Sequence, residues 1–234
     1  MFYQPGTTDH NLPHDPFKAC VVPRPIGWIS TTSPTGAHNL APYSQFNNLT
    51  FDPPYVMFAA NQTPAGIRKD TVANVEATRK FCWNLATWKL RDAVNVSAEQ
   101  VPPGVDEFER AGLEKTMSTV VEGVPMVKES PVRFECEYYS TIRLPGNPPM
   151  GTVDIVIGKV VGVHIADEVL SEDGRVDIRK TEPIARCGYY EYAVVRETFD
   201  MVIPGNDAAI LGGLEGSSKK NRALDTKKEP KNPI

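Results

Sequence analysis

Short runs of apolar residues alternate with turn residues over positions 19–62 of the chain. These runs are rich in β-branched and aromatic side chains and therefore predict β-strands, and the Pro, Gly and Asp residues between them predict turns. The segment from Thr31 to Gly36 is typical of a hairpin connection. The predicted strands of this block cover residues 20–22, 25–32, 49–51 and 55–60.

The pattern changes to helical spacing over positions 66–117. Val72 and Val75 recur at the spacing of one helix face, and Asp70 is expected to cap the helix that carries them. A continuous apolar run that starts at Phe81 predicts a buried strand. The predicted elements of this block are a helix over 71–79, a strand over 81–85, a helix over 88–98 and a short helix between Asp106 and Gly112.

Strand patterns return over positions 118–204, with predicted strands at 132–142, 152–165 and 189–195. Strands on both sides of a helical insertion indicate one mainly-β domain, built as an antiparallel barrel or sandwich. The 21 prolines of the chain also argue against a mostly helical fold. The absence of a Gly-x-Gly-x-x-Gly motif argues against a Rossmann dinucleotide site.

Composition and charge narrow the function classes. The formal charge of −4 argues against a nucleic-acid binder that relies on bulk positive charge. No signal peptide is visible, and the longest apolar stretch, residues 55–60, is far shorter than the ~20 residues that span a bilayer. Four widely spaced cysteines without a Cys-x-x-Cys pair do not fit a zinc or dithiol site. We expect reduced, mostly buried thiols in a cytoplasmic protein.

The ends of the chain are expected to lie outside the domain. Residues 1–17 form a Pro-rich leader, and residues 205–234 form a tail with few large apolar residues. Between positions 217 and 234 the tail carries six basic and two acidic residues. It cannot bury enough apolar surface to fold alone. A solvated arm is expected, with an arm over a partner subunit or a nucleic-acid arm as alternatives.

A run of hydroxyl and amide residues begins where the predicted strand 25–32 ends. It covers residues 30–33, turns at Gly36 and continues through residues 39–44. Proline after Ala41 keeps the backbone extended. Backbone N–H groups and short side chains are then available to a planar, hydrogen-bonding ligand. The alternative is an ordinary turn, in which Ser, Thr and Asn are common.

A second stretch, residues 68–74, places two cations and a hydroxyl at the predicted start of a helix. Unpaired N–H groups and the helix dipole favour a phosphate at such a position. Lys69 would supply charge and Thr71 a hydrogen bond. The alternative is a solvated helix start with Asp70 as an ordinary cap.

Together these stretches resemble the flavin reductase-like family of FMN-binding split-barrel proteins. The similarity covers residues 18–204 and rests on five motifs in the family's order. The motif positions are Gly36, Asn39, Ala41, Pro42, Ser44 and Phe46 in the first, then residues 68–74, 105–114, 129–132 and 183–190.

The resemblance implies an antiparallel split β-barrel of Greek-key type with a few peripheral helices, an α+β fold. It implies FMN as cofactor, with FAD as an alternative, and NADH or NADPH as hydride donor. It also implies a homodimer and either a partner monooxygenase or an acceptor protein. The residues expected to contact the flavin ring and ribityl chain are Ser30, Thr31, Asn39, Leu40, Ala41, Pro42, Ser44 and Asn61. Those expected at the phosphate end are Arg68, Lys69, Asp70 and Thr71, and Arg186 and Tyr190 are expected to close the pocket from the partner subunit.

One departure from the family concerns the nicotinamide site. Many members have Gly-Asp-His ahead of the strand that begins here near Thr152, whereas this chain has Gly151-Thr152-Val153. The flavin itself carries the redox chemistry, so hydride transfer does not require that imidazole. Two rivals stay open, a carrier that holds FMN tightly and is reduced by another protein, and a non-catalytic binder of flavin or haem.

Other candidate residues have ordinary interpretations. His164 is expected to be structural, and His38 to be a loop residue beside the flavin. The acids Asp106, Glu107 and Glu109 are expected to face solvent at a helix start, with no metal site. Core packing is the default for the tryptophans. Trp28 is the exception expected to contact the flavin ring, because it borders the hydroxyl run.

Overall fold

A computed structural model describes residues 1–201 and residue 204 of the chain. Within these residues the fold is mainly β, with short helices at its periphery, as the sequence predicts. The strands are β1 (Arg24–Pro25), β2 (Gly27–Thr32), β3 (His38–Tyr43), β4 (Phe46–Phe51), β5 (Pro54–Asn61), β6 (Lys80–Asn84), β7 (Lys115–Met117), β8 (Pro125–Val127), β9 (Val132–Leu144), β10 (Val153–Ile165), β11 (Ile184–Arg186) and β12 (Tyr192–Val194). The helices are α1 (Asp70–Thr78), α2 (Arg91–Val96), α3 (Glu107–Arg110) and α4 (Ile178–Thr181).

Seven strands form one sheet in the order β3-β2-β6-β9-β10-β5-β4, and every pair in it is antiparallel. A three-stranded sheet, β1-β11-β12, and a hairpin, β7-β8, lie outside it. The prediction of an antiparallel, mainly-β fold is therefore confirmed. The helices lie in the connections β5–β6, β6–β7 and β10–β11, and none of these connections joins two strands that pair with each other.

The main core lies between the seven-stranded sheet and α1. On β5 the side chains alternate, so that Val56, Phe58 and Ala60 point inward and are buried. Val72 and Val75 of α1 belong to the same cluster and are fully buried. Their spacing of three places both on one helix face. This apolar contact fixes α1 against the sheet.

A second core supports β2 and β3 from the other side. Trp28 and Leu40, on these two strands, pack in one cluster with Phe108 of α3 and Val127 of β8, and all four are fully buried. The predicted short helix α3 is present, and its N-cap is Asp106, whose carboxylate accepts the Phe108 N–H at 2.9 Å. The β2–β3 hairpin is thus held between two cores.

One close approach within the sheet depends on glycine. A Cβ atom added at Gly158 of β10 would lie 2.4 Å from the Phe81 ring. Any side chain would displace that ring, which is fully buried in the main core. Glycine here therefore lets the Phe81 ring pack directly against the β10 backbone.

Three local predictions are wrong. Residues 20–22 form no strand, because they follow a short 3-10 helix, Pro16–Ala19, and are exposed. Asp70 is not the cap of α1 but its first residue, since the helix begins one position earlier than predicted. Two of the four free thiols, Cys82 and Cys136, are buried, whereas Cys20 is exposed and Cys187 is half-buried.

Contacts along the chain group residues Met1–Glu197 into one compact unit. The predicted tail, residues 205–234, lies outside the described residues. None of the helices described in the structure is long and apolar enough to cross a membrane.

Candidate functional site

The two stretches singled out in the sequence meet at one place in the fold. The Asn39 amide on β3 donates to the Thr71 hydroxyl at the start of α1, at 2.9 Å. One helical turn later, the Asn74 amide donates to the Thr31 hydroxyl on β2, at 3.1 Å. All four residues are buried. The β2–β3 hairpin and the first turns of α1 therefore form a single hydrogen-bonded junction.

A cleft of about 300 Å³ opens beside this junction. One wall is the hairpin turn and the start of β3, residues 33–39, and the second is α1 at Asp70 and Asn74. The third wall is the loop 103–105, immediately ahead of α3. The wall carries hydroxyls, amides and backbone groups, together with the His38 imidazole and the Asp70 carboxyl group. Its N–H and O–H donors can bind an oxygen-rich ligand.

The start of α1 has no capping side chain among the described residues. Lys69 occupies the N-cap position in an extended conformation and makes no side-chain hydrogen bond to the helix. The first N–H groups of an α-helix have no partner within the helix. Together with the helix dipole and the Lys69 ammonium group, they favour an anion at this position.

Several predicted contact residues are too deeply buried to touch a ligand in this structure. Ser30, Thr31, Leu40 and Thr71 are at most 1% exposed. Thr31 and Thr71 belong to the junction, Ser30 accepts the Asn84 amide at 3.2 Å, and Leu40 packs in the second core. Contact with a flavin would require them to move, so in this structure they support the site instead of lining it.

Trp28 is a clear correction. It is fully buried, and its indole N–H donates to the Ser97 hydroxyl at 2.9 Å. A ring held in the second core cannot stack on a ligand at the surface. The general expectation that tryptophans pack in the core holds for Trp28, and the exception made for it was wrong.

Other predicted residues are accessible. Ala41 and Pro42 on β3 and Ser44 just after it are half-buried beyond the junction, and Lys69 is half-buried at the start of α1. Asn61 is half-buried at the end of β5, where its amide donates to the Met150 carbonyl at 3.3 Å. It therefore faces the tip of the β9–β10 hairpin.

Arg68 has a different role from the predicted one. Its guanidinium group pairs with Glu76 of α1 and lies 3.8 Å from the carboxylate of Asp154, which is 1% exposed. Arg143 binds the same two acids, at 2.9 Å from Asp154 and 3.2 Å from Glu76. The Gln62 amide also donates to Asp154, at 3.1 Å. Arg68 is thus used to fix α1 to β10 and is not free for a phosphate.

Arg186 and Tyr190 do not line the cleft of their own chain. Arg186 lies on β11 of the three-stranded sheet, where it donates to the Tyr192 hydroxyl at 3.0 Å. Tyr190 is 94% exposed in the connection from β11 to β12. Their predicted contribution from a partner subunit stays a prediction.

Two ionisable groups at the cleft have shifted pKa values. Burial lowers the pKa of His38, and Lys115 lowers it further, so this cleft-lining imidazole is neutral at pH 7. Burial also raises the pKa of Glu107. The Glu107 carboxyl group accepts the Leu40 N–H at 2.9 Å, directly behind Asn39.

Sequence reasoning missed Glu107, which was expected to face solvent with its neighbours. Only 7% of it is exposed. Acids at a helix start resemble one another in sequence, and the Glu107 partner lies 67 positions away. Its adjacency to the buried Phe108 was the only available signal.

The structure also shows where Val153 lies, the position at which the family resemblance leads one to expect a histidine. Val153 pairs with Asn61 across β10 and β5, so a histidine there would have stood beside the Asn61 amide. His164, eleven positions further along β10, binds the Glu135 carboxylate through Nε2 at 2.6 Å. The expectation that His164 is structural agrees with this contact.

Comparisons with known proteins agree on one family. The family described as "Flavin reductase like domain" matches residues 19–183. An uncharacterized protein from Aquifex aeolicus is 37% identical over 172 residues, which are 73% of this chain and 84% of that protein.

Solved structures extend the agreement to the fold. Nitrilotriacetate monooxygenase component B from Bacillus cereus is 29% identical with a TM-score of 0.78, covering 86% of this chain and 98% of that one. A split-barrel structure from Shewanella frigidimarina is 20% identical with a TM-score of 0.68, over 79% and 88% of the two chains. At that identity it shows the fold alone, which is a split barrel.

Proposed function

This chain belongs to the flavin reductase-like family, and from that premise we propose that it transfers hydride from NADH or NADPH to a flavin, FMN in the first place. A flavin-related oxidoreductase is the function class that the family supports. The finer proposal concerns which residues hold the cofactor, which donor reduces it and what consumes the electrons.

The residues at the start of α1 fit the phosphate end of FMN. Lys69 supplies a positive charge, and the uncapped first turn supplies N–H donors. The amides of Asn39 and Asn74, which line the cleft, are held in place by Thr71 and Thr31.

The accessible part of β3 is the place for the ring. Ala41, Pro42 and Ser44 are small and half-buried, so a planar group can approach the backbone closely. FMN, when bound, accepts hydride at its ring and so provides the redox chemistry. The chain's own task is to hold the ring against β3 and to keep water away from the face on which the donor stacks.

The meeting of hairpin and helix is the observation that carries this proposal. Two separate stretches of the sequence are joined by the Asn39–Thr71 and Asn74–Thr31 hydrogen bonds, which span 32 and 43 positions. The cleft places the first residues of β3 beside the anion-binding start of α1, and Ala41 and Pro42 continue along the same strand.

Anaerobic titration tests the proposal directly. The purified chain, loaded with FMN, is titrated with NADH and with NADPH while the absorbance of the oxidised flavin is followed. We expect at least one donor to bleach the flavin at a rate that supports turnover. Failure of the chain to retain or reduce FMN with either donor would contradict the proposal.

The electron-carrier alternative keeps support from one residue. Val153 stands where many family members have histidine, so this chain lacks an imidazole beside Asn61. If the chain is an electron carrier, FMN stays tightly bound and is bleached only by dithionite or by a reduced protein. The same titration separates the two functions, because NADH and NADPH then leave the colour unchanged.

A homodimer is part of the proposal and is supported by an apolar sheet face. Met57, Ile155 and Ile157 are half-buried on the outward side of β5 and β10, and Ile142 of β9 is 50% exposed beside Ile155. Asn61 lies on the same side of β5, at the end of this face. A second copy covering it would extend the flavin site across the dimer. Light scattering tests this: we expect a dimer, and Ile155→Lys to yield monomers, whereas a wild-type monomer would contradict it.

The consumer of the electrons is proposed to be a second protein. The similar Bacillus cereus protein is, by its name, one component of a monooxygenase. A partner monooxygenase that takes reduced flavin, or an acceptor protein that takes electrons, fits the same chemistry. Released flavin would appear in the filtrate after reduction, whereas a bound cofactor would stay with the protein.

A further inference from the structure

A fully buried carboxylate on β9 is not used in the proposed function. Glu135 of β9 is 0% exposed. It accepts the N–H groups of three successive residues in the loop between β7 and β8, Thr119 at 2.8 Å, Val120 at 2.6 Å and Val121 at 2.9 Å. His164 contacts the same carboxylate at 2.6 Å. Successive N–H groups that converge in this way form an anion-binding nest, and here the chain fills it itself.

The charge on this carboxylate is well compensated. Burial would raise the pKa of Glu135, but the three N–H donors and His164 outweigh it and hold the pKa at about 2. The carboxylate is therefore ionised at neutral pH. Hydrogen bonds to a charged acceptor are stronger than neutral ones, so the loop is firmly attached to β9.

The opposite side of the same loop reaches the cleft hairpin. The Thr32 hydroxyl, at the end of β2, donates to the Gly123 carbonyl at 2.7 Å. The Lys80 ammonium group donates to the neighbouring Glu122 carbonyl at 2.5 Å. Gly123 adopts a φ of +76°, a conformation that glycine accepts readily. Thr32 directly precedes Ser33, the first residue of the turn that lines the cleft.

We propose that Glu135 is a positioning residue for the cleft, acting through the loop 118–124 and Thr32 on the turn of the β2–β3 hairpin. The proposal rests on the proposed function for its effect on flavin, but not for its effect on the turn. The turn is closed by the Ser33 N–H to Ala37 carbonyl bond at 2.7 Å and by the Ala37 N–H to the Ser33 hydroxyl at 3.0 Å. Glu135 thus fixes the strand end from which this turn begins.

A parallel connection limits the size of the effect. The fully buried Asn84 accepts the Val127 N–H at 2.8 Å and donates to the Trp28 carbonyl at 3.1 Å. It ties β8 to β2 independently of the loop. Loss of Glu135 should therefore loosen the turn and leave the hairpin itself in place.

The test combines Glu135→Gln with Thr32→Val, alone and together. Glu137→Gln is the matched control, because Glu137 is an exposed glutamate on the same strand. We expect each single variant to weaken FMN binding by roughly three- to thirtyfold, the range of mutations that act through a neighbouring element. The double variant should lose less FMN affinity than the product of the two single fold-losses, because both substitutions interrupt the same route from Glu135 to the turn. The control should bind FMN like the wild type.

Amide hydrogen exchange makes the test independent of flavin. We expect Glu135→Gln to speed exchange at Thr119, Val120 and Val121, and also at Ala37 in the turn. Faster exchange in the loop with unchanged protection at Ala37 would overturn the proposal, and so would fully additive losses of FMN affinity. Thr32→Val leaves the buried carboxylate in place, so it tests the route even where Glu135→Gln lowers overall stability. A wild-type protein that binds no FMN would refute the proposed function. The hydrogen-exchange result would then decide alone whether Glu135 positions the turn.

Discussion

The wall of the cleft and the frame behind it are held together by different chemistry. At the wall, neutral amides and hydroxyls join the hairpin to α1, as in the Asn39–Thr71 pair. Behind it, buried carboxylates are each bound by several of the chain's own donors. Asp154 forms ion pairs with Arg143 and Arg68 and accepts a hydrogen bond from Gln62. Glu135 accepts three backbone N–H groups and contacts His164.

This difference indicates how the site can accept an anion. An unpaired buried charge costs free energy. In the frame, the arginines and N–H groups are therefore bound to the buried carboxylates of the same chain. The cleft wall contains no such compensated charge. Lys69 and the uncapped start of α1 are consequently left for a ligand. Arg68 and Lys69 are adjacent in sequence and serve the two regions separately.

The largest effect is expected from the frame. Asp154→Ala should lower the free energy of unfolding by about 4 kcal/mol, because it removes the buried acid that two arginines share. Urea denaturation measures this. Asp173→Ala, which breaks an exposed pair with Arg175, is the control and should lower the free energy of unfolding far less than Asp154→Ala does. Equal losses in the two variants would remove the distinction between frame and surface.

A second frame effect depends on pH. The pKa of Glu135 lies at about 2, below its ordinary value of 4.5, so folding is favoured while this group is ionised. The contribution is fully present above pH 4.5 and is lost as the pH falls toward 2. It amounts to about 3 kcal/mol. Stability of wild type minus that of Glu135→Gln, measured by urea unfolding, should shrink over this range, and a constant difference would contradict the assignment.

Smaller effects are expected at the wall. Thr71→Val keeps the shape of the side chain but leaves the buried Asn39 amide without its acceptor. We expect a loss of about 1–2 kcal/mol in unfolding free energy. Thr50→Val, at an exposed position on β4, is the matched control and should be within about 0.5 kcal/mol of wild type. A loss as large as that of Asp154→Ala would mean that the wall is part of the frame.

The smallest effect on stability is expected at Lys69. Lys69→Ala should leave unfolding unchanged and weaken FMN by about fivefold, which corresponds to ~1 kcal/mol, while riboflavin binding stays the same. Lys69→Arg, which keeps the charge, should bind FMN like wild type.

Arg68→Ala should instead lower the free energy of unfolding, because it disrupts the ion pairs with Glu76 and Asp154. Equal weakening of FMN and riboflavin by Lys69→Ala would place the phosphate elsewhere.

The sequence predicted the wall better than the frame, for a physical reason. Strand and turn signals are local, so β2, the hairpin connection that follows it and the approximate start of α1 could be derived from the sequence, although β3 itself was not among the predicted strands. Asn39 and Thr71 were both among the predicted site residues, and the structure joins them. The one-residue error at Asp70 reflects how weakly a cap is fixed by sequence alone.

The frame depends on contacts that sequence spacing does not reveal. Gln62 and Asp154 are 92 positions apart, and Glu107 is 67 positions from Leu40. Arg68 looked like a second phosphate ligand because its acid partner on β10 cannot be assigned without the fold. Trp28 was misassigned for a related reason, since its burial depends on α3 and β8.

A crystal structure of the chain with FMN tests the central claim most directly. We predict the phosphate within hydrogen-bonding distance of the first-turn N–H groups of α1 or of the Lys69 ammonium group, and the ring along Ala41–Ser44. FMN bound at another surface, with the cleft between hairpin and helix vacant, would contradict the account.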